Sequence, residues 1–127
     1  MHPIRTLFYL TAVIFASLIV IATLNLSRVD LSKLAIAPTV NLQVDWPDAS
    51  ARCNELGDEW RLASISELVA LFYLSDRIDH IKNTDIWSNQ SLLGYVFGLN
   101  THAGILSFDT PTDTDHYICV HNRKRPA

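Results

Sequence analysis

Hydrophobic residues are distributed along this chain in three different patterns. A continuous apolar run comes first, from Leu7 to Leu24, and it contains no charged residue. Val40, Leu42 and Val44 then alternate with polar neighbours at the period of a half-buried strand. Farther along, helical spacing gives way to short β-type runs. The chain therefore divides into an apolar N-terminal segment and a small mixed domain.

The apolar run is long enough to cross a membrane. Its 18 residues would form a helix of roughly 27 Å, which matches the hydrocarbon core of a bilayer. A cleaved signal peptide is the alternative, since Arg5 precedes the run, but the residues after Leu24 lack the small-residue pair of a cleavage site. We therefore expect residues 1–24 to be a cytoplasmic tip and an uncleaved transmembrane anchor, with lipid contact from Leu7 to Leu24.

Two helices are predicted after a juxtamembrane linker at residues 25–39. The first opens at Trp46-Pro47, where proline suits the first helical turn, and ends at Gly57. The second begins at a capping box formed by Ser64 and Glu67. Apolar residues then recur at helical spacing as far as Leu74, namely Ile65, Leu68, Val69 and Phe72.

Four short β-type runs follow, at residues 85–88, 95–99, 104–108 and 116–121. The middle two are expected to form a hairpin whose turn contains Asn100-Thr101-His102. A strand, two helices and several antiparallel strands in this order are typical of an α+β fold. The sequence thus predicts one α+β domain over residues 40–127.

The cysteine content and the charge indicate the compartment of this domain and the partners that it can bind. Cys53 and Cys119 are the two cysteines of the chain, and a single pair in a small domain favours a structural disulfide in an oxidising compartment. Residues 45–127 hold seven basic and twelve acidic residues, a net charge of −5. The basic cluster Arg123-Lys124-Arg125 lies in the terminal tail. We therefore expect an extracytoplasmic domain that does not bind nucleic acid.

The aromatic residues, cysteines and glycine of the domain carry a family resemblance. In order, they are Trp46, Ala51, Cys53, Gly57, Trp60-Arg61-Leu62, Glu67-Leu68, Trp87-Ser88 and Cys119-Val120. This series resembles the Lcl C-terminal domain family of bacterial envelope proteins, which is similar in fold to C-type lectins and to sulfatase-modifying domains. The resemblance covers about residues 40–122 and implies a C-type-lectin-like domain of a bacterial envelope protein. Together with the predicted anchor and disulfide, it leads us to expect a single-pass protein of a bacterial inner membrane, with the C-terminal domain in the periplasm or outside the cell.

The chain departs from the family pattern at several positions. Ala63-Ser64 stands where the family has proline and threonine, Ile86 replaces an aromatic residue, and Ile118 and His121 replace arginines beside the last cysteine. Any family function that depends on those arginines is not implied for this chain.

Candidate binding residues are few. Trp46, Trp60 and Trp87 are interpreted as core residues rather than as sugar-stacking platforms, because tryptophan removes a large area from water in a small core. Arg61 precedes a capped helix and is expected to pair with a carboxylate or a carbonyl inside the fold.

The metal-binding candidates are acidic residues and histidines. Asp109, Asp113 and Asp115 form the densest set of hard oxygen ligands, which suits calcium, although EF-hand spacing is absent and a solvated acidic loop is the alternative. The histidines at positions 80, 102, 116 and 121 lack the spacing of a zinc site, and His102 and His116 are interpreted as surface or loop residues.

No catalytic residue can be assigned from these patterns, and no cofactor is implied, so a non-enzymatic protein is expected. The favoured function is a protein-interaction module that serves as an accessory or structural subunit of a bacterial membrane complex, with membrane-protein partners. The alternative is a lectin-like domain that binds a glycan or another surface ligand.

Overall fold

The computed structural model describes residues 9–18, 29–39 and 41–123. Residues 9–18 form helix α1, whose side chains are exposed. Within these described ranges, no helix is both long enough and apolar enough to cross a membrane. Leu7 and Leu24, which bound the predicted anchor, lie outside the described residues. The anchor therefore stays a prediction.

Among residues 29–39 and 41–123, the chain forms two α-helices and two sheets. Helix α2 spans Trp46–Asn54 and helix α3 spans Ile65–Leu74. In the first sheet, β7 lies between β1 and β2 and is antiparallel to both; the strands are β1 (Leu34–Ile36), β2 (Arg61–Leu62) and β7 (Cys119–Asn122).

The second sheet has the strand order β5-β4-β3-β6. Its strands are β3 (Asp85–Leu92), β4 (Tyr95–Asn100), β5 (Ile105–Asp109) and β6 (His116–Tyr117). The pairs β3–β4 and β4–β5 are antiparallel, while β3 and β6 are parallel. The β4–β5 pair confirms the predicted hairpin, with Leu99 opposite Leu106.

Both helices begin at polar caps. The Asp45 side chain accepts a hydrogen bond from Asp48 N at 2.9 Å, and Pro47 follows in the first turn of α2. At α3, Ser64 Oγ accepts from Glu67 N at 3.2 Å, and Glu67 Oε1 accepts from Ser64 N at 2.8 Å. The structure thus confirms the predicted capping box.

Part of the predicted linker belongs to the fold. Residues Leu31–Lys33 form a 3₁₀ turn, and β1 follows at once with Leu34 buried opposite Asn122 of β7. Arg77 holds this segment by donating to the carbonyl oxygens of Leu31 and Leu34, at 3.3 and 3.0 Å. The prediction of a linker over 25–39 is therefore wrong for these residues, because a three-residue strand has no periodicity of its own.

The structure also differs from two of the predicted strands. Of the segment from Val40 to Val44, Val40 lies outside the described residues, and Val44 makes an isolated bridge to Asp115. The run at 116–121 is divided between two sheets, since buried Ile118 separates β6 from β7. Here the chain passes from one sheet to the other through the core.

The core consists of two clusters. One lies under α3 and includes Leu68, Leu71 and Ile118. The other surrounds the disulfide between Cys53 and Cys119, which joins α2 to β7. The α+β class and the single disulfide are thus confirmed.

Candidate ligand-binding site

A cavity of about 300 Å³ with both polar and apolar walls lies between β6 and the segment that leads into β3. This volume is at the lower end of the range of about 300–1,000 Å³ for small-molecule sites. Its walls come from three parts of the chain that are far apart in sequence. The lining residues are Thr39, Asn41, His80, Ile81, Lys82, Thr84, His116 and Tyr117.

His116 is the best-fixed side chain of this cavity. Its Nδ1 lies 2.7 Å from Thr84 Oγ1, and its Nε2 lies 3.0 Å from Asn41 Oδ1. Burial lowers the pKa of the His116 imidazole below its ordinary value. A neutral ring with its proton on Nε2 satisfies both contacts, since it donates to Asn41 and accepts from Thr84. His116 lies in strand β6 rather than in a loop, and it is half-buried.

The remaining walls are polar with an aromatic patch. His80 Nε2 lies 2.6 Å from Thr39 Oγ1, which joins two lining segments that are far apart in sequence. Lys82 contributes a positive charge, and half-buried Tyr117 contributes part of a ring. The cavity thus combines hydroxyl, amide and imidazole groups with apolar surface. Such a set suits a small ligand that carries several hydroxyl groups.

A second group of polar side chains involves the residues next in sequence to this cavity. Asp85 follows Thr84, and Asp115 precedes His116. Asp85, Asp109 and Asp115 each offer a carboxylate oxygen, and these oxygens lie within 4.8 Å of one another. Asn100 Nδ2 donates to Asp85 Oδ1 at 2.7 Å. The arrangement can hold a shared proton or coordinate a hard cation such as calcium.

The sequence identified only part of this acidic trio. Asp109 and Asp115 belong to it, but exposed Asp113 is replaced by Asp85 of β3. Sequence reasoning missed Asp85 because it is far from the others along the chain and no local spacing connects them. Calcium binding at these residues stays a prediction.

The acidic trio holds a proton near neutral pH. Burial raises the pKa of Asp115 to about 8, with further contributions from a hydrogen bond to Asp109 and from the negative charges of Asp109, Asp85 and Asp113. A cation at this place would compete with that proton.

Arg61 lies outside the cavity and pairs with Glu67. The side chains of Arg61 and Glu67 are 35% and 11% exposed, so the pair is largely shielded from water. Hydrogen bonding to Glu67 raises the pKa of Arg61. Because it links β2 to the first turn of α3 through Glu67, Arg61 has a structural role.

The three tryptophans pack around the disulfide cluster rather than lining the cavity. Trp87 is buried and donates from Nε1 to the Val44 carbonyl at 2.8 Å. Trp46 is partly buried and donates from Nε1 to the Ser88 carbonyl at 2.8 Å. The Trp60 ring stands edge-on to His121, with 4.3 Å between centroids. Each ring therefore has a packing role.

Comparison with known proteins identifies the fold. No protein-family model matches the sequence, and no curated protein matches it. Among solved structures, botrocetin is similar, with a TM-score of 0.50 and 11% sequence identity over 72% of this chain and 90% of botrocetin. Botrocetin is a protein of C-type-lectin-like fold. Membership of the Lcl family stays a prediction, whereas the domain has a C-type-lectin-like α+β fold.

Proposed function

We propose that this chain is a non-enzymatic, membrane-anchored binding module whose lectin-like domain holds a hydroxyl-rich ligand, such as a glycan, in the cavity at His116. The fixed network of Thr84, His116 and Asn41 carries this proposal. The domain would lie on the extracytoplasmic side of a bacterial inner membrane, as the disulfide and the acidic surface suggest.

The network prepares donors and acceptors for a ligand. Because the Thr84 hydroxyl is oriented toward His116, its oxygen can accept from a ligand hydroxyl. The Asn41 amide uses its oxygen toward His116, so its NH₂ group can donate. Sugar hydroxyls both donate and accept, and they match such neutral groups without the desolvation of a charge. The Tyr117 ring offers apolar surface to a sugar face.

A glycan screen tests this proposal. Full-length protein in mild detergent would be applied to an oligosaccharide array, together with Thr84→Val and the matched exposed-loop variant Thr112→Val. Loss of one ligand hydrogen bond and of the His116 contact is expected to weaken binding by Thr84→Val about tenfold or more. Thr112→Val should bind as the wild type does. Absence of binding to every oligosaccharide, or equal binding by both variants, would overturn the proposal.

An accessory-subunit role is a second candidate, supported by strand β5. This strand is at the edge of its sheet, and Leu106 and Phe108 are 45% and 59% exposed. Phe108 stacks edge-on with Phe97, with 4.9 Å between centroids, which extends the apolar surface onto β4. Exposed apolar edges of this kind favour docking onto another protein.

Affinity purification in mild detergent tests the second candidate. A fixed set of membrane proteins should co-elute with the full-length chain and be lost with Phe108→Asp. Leu74→Asp, at an exposed position at the end of α3, is the control and should keep the partners. Elution of the wild-type protein alone would overturn the accessory role and leave the ligand-binding proposal untouched.

A further inference from the structure

The tip of the β3–β4 hairpin is apolar and exposed. Leu92, Leu93 and Tyr95 are 59%, 88% and 53% exposed. Leu93 and Gly94 form the two-residue turn, and both have positive φ, 53° and 83°. The geometry is that of a tight hairpin turn, in which asparagine, aspartate or glycine is usual at the first position.

Leucine at position 93 is unfavourable for folding in two ways. Its Cβ crowds the backbone at positive φ, and its side chain faces water instead of a core. Neither effect is offset by packing within the described fold, given that exposure. An apolar side chain held outward in this way is suited to contact with something beyond the domain.

The exposed half of β3 begins close to Val29, the residue at which the described part of the domain starts. A cavity of about 450 Å³ is lined by Asn89, at the start of the exposed half of β3, and by Val29, Lys33 and Arg123. Arg123 N donates to the Lys33 carbonyl at 2.7 Å, so the two basic residues are neighbours. Lys33 and Arg123 thus lie near the start of the exposed half of β3, and Lys33 also pairs with exposed Asp30 at 3.6 Å.

The covalent chain limits how far Val29 can stand from the predicted anchor. Val29 follows Leu24 by five residues, which span at most about 18 Å when fully extended. β3 continues beyond Asn89 by three residues before the turn, which adds roughly 10 Å of reach. The hairpin tip is therefore long enough to approach the surface of the bilayer that the anchor would occupy.

We propose that the hairpin tip inserts into the interface of that same bilayer. Leu92 and Leu93 would enter the boundary between head groups and acyl chains, and Tyr95 would lie at head-group level. Lys33 and Arg123 would face anionic head groups, which attract basic side chains close to the surface. The inference rests on the membrane anchoring in the proposed function, and it makes the hairpin a second contact that fixes the orientation of the domain.

Site-directed spin labelling of the full-length chain tests this inference. Labels would be placed at Leu93→Cys, at Ala103→Cys and at Ala16→Cys, in protein reconstituted into phosphatidylcholine vesicles with or without added phosphatidylglycerol. Ala103 is the matched control, because it is exposed in the turn at the opposite end of β4, roughly 17 Å from the tip. Ala16 lies in α1 and reports the anchor. Collision rates with oxygen and with a water-soluble nickel chelate give the environment of each label.

The expected result is that the labels at positions 16 and 93 become more accessible to oxygen and less accessible to the nickel chelate, while the label at position 103 stays in water. A label at position 93 that behaves like the one at 103, beside a lipid-embedded label at 16, would overturn the insertion and leave the anchor intact. Three labels in water would overturn the anchor and the insertion together. Equal results in both vesicle types would overturn the head-group role of Lys33 and Arg123.

Discussion

Arg61 donates two parallel hydrogen bonds to Glu67, from Nη1 to Oε1 at 2.6 Å and from Nη2 to Oε2 at 2.9 Å. Glu67 Oε1 also accepts from Ser64 N and so closes the capping box of α3. Burial acts to raise the pKa of Glu67. The hydrogen bonds from Arg61 and Ser64, together with the charge of Arg61, outweigh burial and hold this pKa below its ordinary value. The pair thus joins β2 to the start of α3.

Replacement of Arg61 by lysine is expected to lower the free energy of unfolding by about 1–2 kcal/mol, since an ammonium group cannot reproduce the two-pronged contact. The matched control is Arg52→Lys, whose pair with Asp48 is exposed to solvent, so this variant should lose much less stability. Urea denaturation in mild detergent measures both variants. Equal losses would contradict a structural role specific to Arg61.

Glu67→Gln should destabilise the protein in a pH-dependent way. Because the folded-state pKa of Glu67 is lowered, its carboxylate contributes stability above the ordinary pKa of 4.5, and this contribution is lost as the pH falls through the folded-state value. The difference between wild type and variant is therefore expected to be largest near neutral pH and to shrink in acid. A pH series of urea denaturation curves measures it, and a constant difference would refute the linkage.

The raised pKa of Asp115 predicts the opposite dependence of stability on pH. Its folded-state pKa is raised to about 8 from 3.8, so the protonated carboxyl contributes stability that is complete below pH 3.8 and is lost as the pH rises through about 8. The wild type should lose stability progressively as the pH rises from 3.8 to about 8, whereas Asp115→Asn should lose much less. Melting temperature across this pH range measures the effect, with Asp113→Asn as the exposed control.

The outcome of this pH series also bears on the predicted cation role of the acidic trio. If Asp115→Asn and the wild type fall in parallel, Asp115 does not hold the proton, and the trio is simply solvated. Repetition of the series with added calcium shows whether a cation replaces the proton, because a bound ion would stabilise only the folded state.

The disulfide makes the largest predicted single contribution to stability. It joins residues 66 positions apart, and a loop of that length corresponds to a stabilisation of about 4 kcal/mol in the chain-entropy model. The double variant Cys53→Ala/Cys119→Ala is expected to lose about 2–4 kcal/mol. Chemical denaturation of the oxidised wild type and of this variant measures the loss, and an unchanged midpoint would show that the cross-link does not limit unfolding.

Local signals in the sequence were enough to predict α3, the β4–β5 hairpin and the disulfide. Ser64 and Glu67 form a capping box within four residues, and the hairpin strands are adjacent in sequence. In contrast, β1 was missed because Leu34 pairs with Asn122, at the other end of the chain. A strand this short exists only because a distant partner completes it.

The cavity could not be predicted for the same reason. Asn41, Thr84 and His116 meet only after β6 has paired with β3, and no spacing in the sequence relates them. The aspartates were grouped from their closeness in sequence, whereas the folded trio takes Asp85 from another strand. Side chains that meet across strands depend on strand register, which single-sequence patterns specify weakly.

The β3–β4 turn was also missed, because leucine is not a turn residue, and this mismatch gives the last prediction. Leu93→Asn should raise the free energy of unfolding by about 1 kcal/mol, since asparagine tolerates positive φ and its polar side chain is readily hydrated. Leu92→Asn is the matched control. Leu92 lies in strand β3, where asparagine is disfavoured, so no gain in the free energy of unfolding is expected. Urea denaturation of both variants in mild detergent measures the difference.

A gain confined to position 93 would show that Leu93 opposes the stability of the fold. If the same substitution also removed the lipid contact of the hairpin, the cost of an exposed leucine at positive φ would be explained by membrane insertion. Equal effects of the two substitutions would instead mean that side-chain exposure alone determines the change in the free energy of unfolding. The positive φ at position 93 would then contribute nothing.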